Sequence, residues 1–278
     1  MKRSTVTLLV LCGTQFLLVL DLTIVAIALP DIRRSLGFTA EDLQWVISAY
    51  ALAFGGLLVA AGRVADVAGP RRVFATGVVG FGAASLACAL APTAALLVAA
   101  RAVQGIAAAA QTPAALALLT ATFSEPSERR RAIGWWTAAA AGGGASGWVL
   151  GGVLVEAFGW PAVFLVNVPL CALAVAAIPR VLHEQRRERP GRLDLGAALA
   201  ITAALGLLVL GLTRAAAALA GAAAAFTAFA LLERRSAEPM LPAWALRRPA
   251  FGTAVRGRLG VCRAGPSSSG NRRSACGS

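Results

Sequence analysis

Asp21 is an acid placed inside an apolar run, LLVLDLTIVAIALP, nine residues before Pro30. Nine residues are about 13 Å of helix, so Asp21 falls near mid-depth if this run crosses a membrane. A carboxylate at that depth costs roughly 3 kcal/mol or more unless it meets a partner or water. Two roles fit it: a carboxylate that binds a proton or cation, or a structural acid hydrogen-bonded to a neighbouring helix. A counterpart stands in a later run, RAVQGIAAAAQTPAAL, in Arg101, Gln104 and Gln111. Offsets of 0, 3 and 10 at ~100° per residue put the three within one stripe about 80° wide. Lipid would leave such a stripe unsatisfied, so it is expected to face an aqueous cavity or another helix. The alternative is Arg101 snorkelling to a membrane interface.

Two further patterns concern motion and closure. Gly143, Gly147 and Gly151 are spaced four apart, with Gly142, Gly144 and Gly152 beside them. A stripe of this kind lets another helix approach closely, either as plain packing or where helices slide or bend. Gly62, Asp66, Gly69, Arg71 and Arg72 lie in GRVADVAGPRR, between apolar runs 44–61 and 73–91. Gly69-Pro70 demands a tight turn. Asp66 is placed to accept hydrogen bonds from the start of the next helix or to pair with a basic neighbour. The whole stretch 62–72 reads as a short charged connection at a membrane surface.

The elements that must hold these residues follow from composition. The chain has 278 residues, of which 58% are hydrophobic and 14% charged; its mean hydropathy is +0.72. Soluble domains carry roughly a quarter charged residues. The apolar residues come in eight blocks: 5–29, 44–61, 73–91, 95–121, 132–155, 161–179, 195–213 and 215–232. Such lengths suit helices crossing a hydrocarbon core of ~30 Å, and the period-2 alternation of barrel strands is missing. The fold expected is an all-α membrane protein. The first run is too long for the apolar part of a signal peptide, and no small-residue cleavage site follows it.

The net charge of +13 has an orientation rather than a nucleic-acid partner. With the N-terminus in the cytoplasm, cytoplasmic connections hold 17 basic residues, from Lys2 to Arg248, and outer connections hold only Arg33, Arg34 and Arg214. That is a strong positive-inside bias. Cys12, Cys88 and Cys171 lie in apolar runs and Cys262 and Cys276 near the C-terminus, without metal-ligand spacing. His183 stands in a basic stretch. No nucleophile constellation is present, so neither an enzyme nor a metal site is expected.

Residues 1–179 read as a six-span unit, 180–194 as a basic cytoplasmic linker and 195–232 as two additional spans. Residues 233–255 read as a cytoplasmic segment and the start of a further span. Residues 256–278 carry five arginines, no acid and many Gly and Ser. This last stretch has two readings, a disordered basic tail or an out-of-frame terminus.

Five segments in register resemble the major facilitator superfamily, and within it the fourteen-span drug:proton antiporter branch. They are LDLTIVAIALPDI (20–32), GRVADVAGPRR (62–72), RAVQGIAAAAQTPAA (101–115), GGVLVEAFGWPAVFLVNVP (151–169) and ERRSAEPMLPAWALRRPAF (233–251). The resemblance implies a six-helix N-terminal transporter bundle plus two extra helices, ending before a second bundle. It implies a multi-pass protein of the plasma membrane that exports amphipathic small molecules, a multidrug efflux antiporter conferring antibiotic resistance. Such a protein uses a proton gradient and no cofactor; its partners are lipid and substrate.

Asp21 and Arg101 would couple proton movement, with Gln104 and Gln111 beside them. Gly62, Asp66, Gly69, Arg71 and Arg72 would lock a cytoplasmic gate. Gly143, Gly147, Gly151 and Gly152 would form a helix-bending motif. The chain departs from the branch in carrying Trp148 after Gly147, where the motif has proline. The rival expectation is a non-transporting chain, or a half-transporter completed by a partner bundle or a second copy.

Overall fold

The computed structural model describes residues 3–181 and Thr227. Apart from these, the linker, the two additional spans, segment 233–255 and the tail 256–278 lie outside the described residues, as does His183. Among the described residues every regular element is a helix. They are α1 (Arg3–Leu36), α2 (Ala40–Leu43), α3 (Trp45–Ala68), α4 (Pro70–Ala89), α5 (Ala94–Thr122), α6 (Pro126–Phe158), α7 (Ala162–Leu165) and α8 (Asn167–Val181). Six helical stretches are long and apolar enough to cross a membrane. They coincide with the first six apolar runs. Several are longer, because the helix continues past the apolar run into residues that suit an interface. Thus α1 runs through Pro30 to Leu36 and takes in Arg33 and Arg34, and α6 starts at Pro126, ahead of Arg129, Arg130 and Arg131.

The connection 62–72 differs from its sequence reading. Only Gly69 lies outside a helix. Gly62 and Asp66 belong to the last turns of α3, and Arg71 and Arg72 to the first turn of α4. Polar residues near the membrane surface can stay helical, so charge did not mark the helix end here. Backbone geometry marks it: Gly69 has φ +94° and Pro70 opens α4, where its missing N–H leaves no bond unmade. A side chain at Gly69 would have open space but a strained backbone. Gly69→Ala is therefore expected to destabilise the bundle by about 1–3 kcal/mol, read as a lower melting temperature in detergent. An unchanged melting curve would show that the turn relaxes without cost.

Near α8, the run 161–179 is broken into two helices. Proline cannot donate to a carbonyl four residues back, and Pro169 stands in the first turn of α8. The regular helix is therefore interrupted at Val166, which keeps helical backbone angles, and α7 and α8 together make one crossing. This break leaves Asn167 as the first residue of α8.

In the bundle α1 packs along α6, and α5 lies against both α3 and α4; α8 touches α4 and α1. The apolar interior has two parts. One holds Leu11, Leu20, Tyr50, Phe74, Phe81 and Leu118, and the other holds Ile24, Val25, Phe38, Val46, Leu97 and Phe164. Along α1 the change falls between Leu20 and Ile24; along α5 it falls between Ala100 and Ala107. Asp21, Arg101 and Gln104 sit in that seam.

Candidate functional site

Asp21 and Arg101 meet in the seam. Both are fully buried, and Arg101 Nη1 donates to Asp21 Oδ2 at 2.6 Å. Arg101 also donates through Nε to the Val46 carbonyl (2.9 Å) and through Nη1 to Gln104 Oε1 (2.7 Å). Its guanidinium carbon lies 4.4 Å from the Tyr50 ring centre and 5.8 Å from that of Phe164. Contacts of this kind favour a desolvated cation. Small residues bring the walls this close. At Gly105 a Cβ would stand 3.1 Å from the Tyr50 carbonyl carbon and 3.0 Å from Ala53 Cβ, so α3 can close over α5 only if residue 105 is glycine.

The other carboxylate oxygen is held by amides. Asp21 Oδ1 accepts from Gln104 Nε2 and from Asn167 Nδ2, each at 2.9 Å. Ser85 Oγ ties the amides together, accepting from Gln104 Nε2 (3.2 Å) and Asn167 Nδ2 (3.0 Å) and donating to the Phe164 carbonyl (3.0 Å). Cys88 Sγ lies 3.7 Å from Gln104 Oε1 as a weak donor. Ser85, Cys88 and Asn167 are all buried. Asp21 thus receives three hydrogen bonds from α5 and α8, one from a cation. All three partners are donors, so the carboxylate oxygens act only as acceptors here.

Sequence reasoning brought Asp21, Arg101 and Gln104 into view but left out Ser85 and Asn167. Each is a lone polar residue in an apolar run, which was the available signal. Of the alternatives open for the α5 stripe, Arg101 takes packing against other helices, and Gln111 needs a correction. Arg101 neither snorkels nor lines an open cavity; it is enclosed between helices. Gln111 shares its stripe but not its site. It is buried opposite Gly77 of α4, where a Cβ would lie 3.2 Å from Gln111 Cγ, and it makes no hydrogen bond to the Asp21 cluster. A stripe about 80° wide spans more than one neighbour when the helix is surrounded.

The comparisons with known proteins agree with this architecture. The model of the Major Facilitator Superfamily matches residues 11–248. The chain belongs to the Major Facilitator Superfamily. This is a family of transporters, not of enzymes. The puromycin resistance protein of Streptomyces alboniger is 43% identical over 255 residues, covering 84% of this chain and 48% of the relative. The cephamycin export protein of Amycolatopsis lactamdurans is 42% identical, covering 96% of this chain and 57% of the relative. A multidrug resistance protein of Mycobacterium tuberculosis is 38% identical, covering 92% and 50%. The chain thus spans about half the length of the curated relatives it matches. An inward-facing bacterial homologue of the human lysosomal transporter Spinster has the same fold, with a TM-score of 0.59 at 19% identity. The match covers 94% of this chain and 63% of that one.

The other residues singled out within this superfamily member fall in three places. Gly143, Gly147 and Gly151 are buried on the face of α6 against α1. Gly152 faces the opposite way; it is exposed, with nothing near the place of a Cβ. It is not part of the close-packed stripe. Trp148, beside Gly147, is also exposed. Gly62 lies near Pro113 of α5 (3.6 Å from its would-be Cβ to Pro113 Cβ), and Arg71 is half-buried at the start of α4. Gly62, Asp66, Gly69, Arg71 and Arg72 therefore flank the α3–α4 turn, at the opposite ends of these two helices from Val46 and Ser85 of the Asp21 cluster.

Proposed function

We propose that this protein is a proton-coupled exporter of amphipathic small molecules, working in the cell membrane with its N-terminus in the cytoplasm. The observation that carries the reading is the buried Asp21–Arg101 pair. A buried ion pair is balanced only while both charges are present. Protonating Asp21 would leave Arg101 as an uncompensated cation in an apolar seam, and the bundle would favour an arrangement that gives Arg101 another environment. Proton binding and substrate binding would then act on one conformational equilibrium, which is what coupling requires. Relatives named for puromycin resistance, cephamycin export and multidrug resistance support a drug-like cargo. A cleft of about 790 Å³ between α1 and α6 suits an amphipathic ligand. It offers Leu8, Leu9 and Trp135 beside Glu128 and Arg131. The bias of 17 basic residues against 3 supports the orientation.

The test is efflux of an amphipathic dye from energised vesicles carrying the protein. Asp21→Asn is expected to abolish efflux driven by a proton gradient while dye binding persists. Gradient-driven efflux at the wild-type rate would remove Asp21 from the mechanism. A second reading, assembly with a partner bundle or a second copy, is favoured by α6. Trp135, Trp148, Val149 and Phe158 are exposed along it. Cross-linking in membranes through cysteines placed on this face would reveal such a partner, and lipid-only surroundings would leave the sites unlinked.

A further inference from the structure

We propose that Asn167 is the residue that admits a proton to Asp21: its side-chain amide turns over as Asp21 becomes neutral and offers Oδ1 where Nδ2 had been. The proposal rests on the reading of Asp21 as the proton-coupling carboxylate. It starts from a mismatch. Every hydrogen bond that Asp21 makes is with a donor: Arg101 Nη1, Gln104 Nε2 and Asn167 Nδ2. A neutral carboxyl group brings an O–H that needs an acceptor, and a buried donor left unmatched is costly. None of these three atoms can accept.

Only one of the three partners can change sides without disturbing the bonds of Arg101. Arg101 has no acceptor atom at all. Gln104 is held at both ends: its Oε1 receives Arg101 Nη1 and Cys88 Sγ, and its Nε2 serves Asp21 and Ser85. Turning it would break the arrangement around Arg101. Asn167 is held at one end only. Its Nδ2 serves Asp21 and Ser85, while its Oδ1 is buried without a hydrogen-bond partner. The present orientation of the amide follows from the same logic. Ser85 Oγ already spends its proton on the Phe164 carbonyl, so both Ser85 and ionised Asp21 require the NH₂ group. Neutral Asp21 requires the opposite. The turn needs rotation about side-chain bonds alone, with α8 left in place: the Ser85 hydroxyl swings from the Phe164 carbonyl to Asn167 Oδ1, which it then shares with the Asp21 O–H.

The proton balance is simple. A hydronium ion gives its proton to Asp21 Oδ1 and leaves as water; the new O–H then donates to Asn167 Oδ1. No other covalent bond changes, and Arg101 keeps its charge while losing its counter-charge. The groups around Asp21 that carry charge or titrate are Arg101 of α5, Tyr50 of α3, Cys88 of α4 and Cys171 of α8. The acids and bases of α2 and α6 are exposed, and α7 has none. Of these groups Arg101 alone is hydrogen-bonded to the carboxyl, and it cannot accept.

The test uses infrared difference spectroscopy on the whole chain in lipid nanodiscs. The sequence contains two asparagines, Asn167 and Asn271. An Asn271→Ser chain grown with asparagine carrying ¹³C in the side-chain carbonyl therefore reports on Asn167 alone. On acidification a carboxylic C=O band that is lost in Asp21→Asn is expected to grow in. The labelled amide band is expected to shift with the same midpoint. A titrating Asp21 band beside a stationary amide band would overturn the role of Asn167 and leave the reading of Asp21 standing. If no carboxylic band depends on Asp21, both fall. Asn167→Leu serves as a control for assigning the amide band; the outcome does not depend on that variant folding.

Discussion

Arg101→Leu will destabilise the bundle by about 3–5 kcal/mol, the cost typical of removing one partner from a buried ion pair. The substitution strands Asp21, which is fully buried and whose remaining hydrogen bonds come from two neutral amides. It also leaves Gln104 Oε1 with only the weak Cys88 Sγ donor and breaks a link to the Val46 carbonyl at the start of α3. Combining Arg101→Leu with Asp21→Asn should recover much of that loss, because a neutral amide in place of the carboxylate needs no counter-ion. Arg101→Lys should recover less. An ammonium keeps the charge but lacks the planar fork that reaches Asp21, Gln104 and Val46 together. The measurement is the melting temperature of the four chains in one detergent, followed by a fluorescent thiol probe or by light scattering. If the double variant melts below Arg101→Leu, the energetic coupling of the pair is not what the geometry implies.

The pair was legible in the sequence because chemistry at membrane depth is rare. An aspartate and an arginine, each inside an apolar run, have few ways to be satisfied except by one another, even 80 positions apart. Gln104, one turn from Arg101, came with it. Asn167 and Ser85 carry weaker signals, since a neutral polar residue in an apolar helix is tolerated at lower cost. Their importance depends on where the α7–α8 break and the packing of α4 place them, and spacing within one helix does not reveal that. Gln111 shows the limit from the other side. Its position on the α5 stripe was read correctly, but the neighbour opposite it is Gly77 and not the ion pair. The six crossings could be located from apolar length, whereas their ends could not. A helix continues beyond the hydrocarbon wherever its backbone bonds can, so charges at 62–72 and at 129–131 proved compatible with helix.

The α6 stripe supports the second large prediction, because its glycines meet backbone and branched side chains of α1 that cannot step aside. At Gly143 a Cβ would crowd the Phe16 carbonyl and stand 3.2 Å from the Leu20 nitrogen. At Gly147 it would collide with the Thr23 hydroxyl and lie 2.8 Å from Thr23 Cβ. Thr23 has little freedom to yield, since its hydroxyl is bonded back to the carbonyls of Val19 and Leu20 and its side chain is β-branched. An added methyl at either position must therefore push α1 away from α6. Overpacking of this kind costs about 1–3 kcal/mol per site. Gly143→Ala and Gly147→Ala together are expected to lower the melting temperature sharply. They also move the α1 segment that carries Asp21, so proton-driven efflux should fall with them. Gly152→Ala is the internal control. It has open space around it and helical backbone, and alanine favours a helix more than glycine does, so it should be neutral or slightly stabilising. If Gly143→Ala and Gly147→Ala behave like Gly152→Ala, then α1 and α6 slide freely enough to absorb a methyl group. The stripe would then be a surface for movement more than one for close packing.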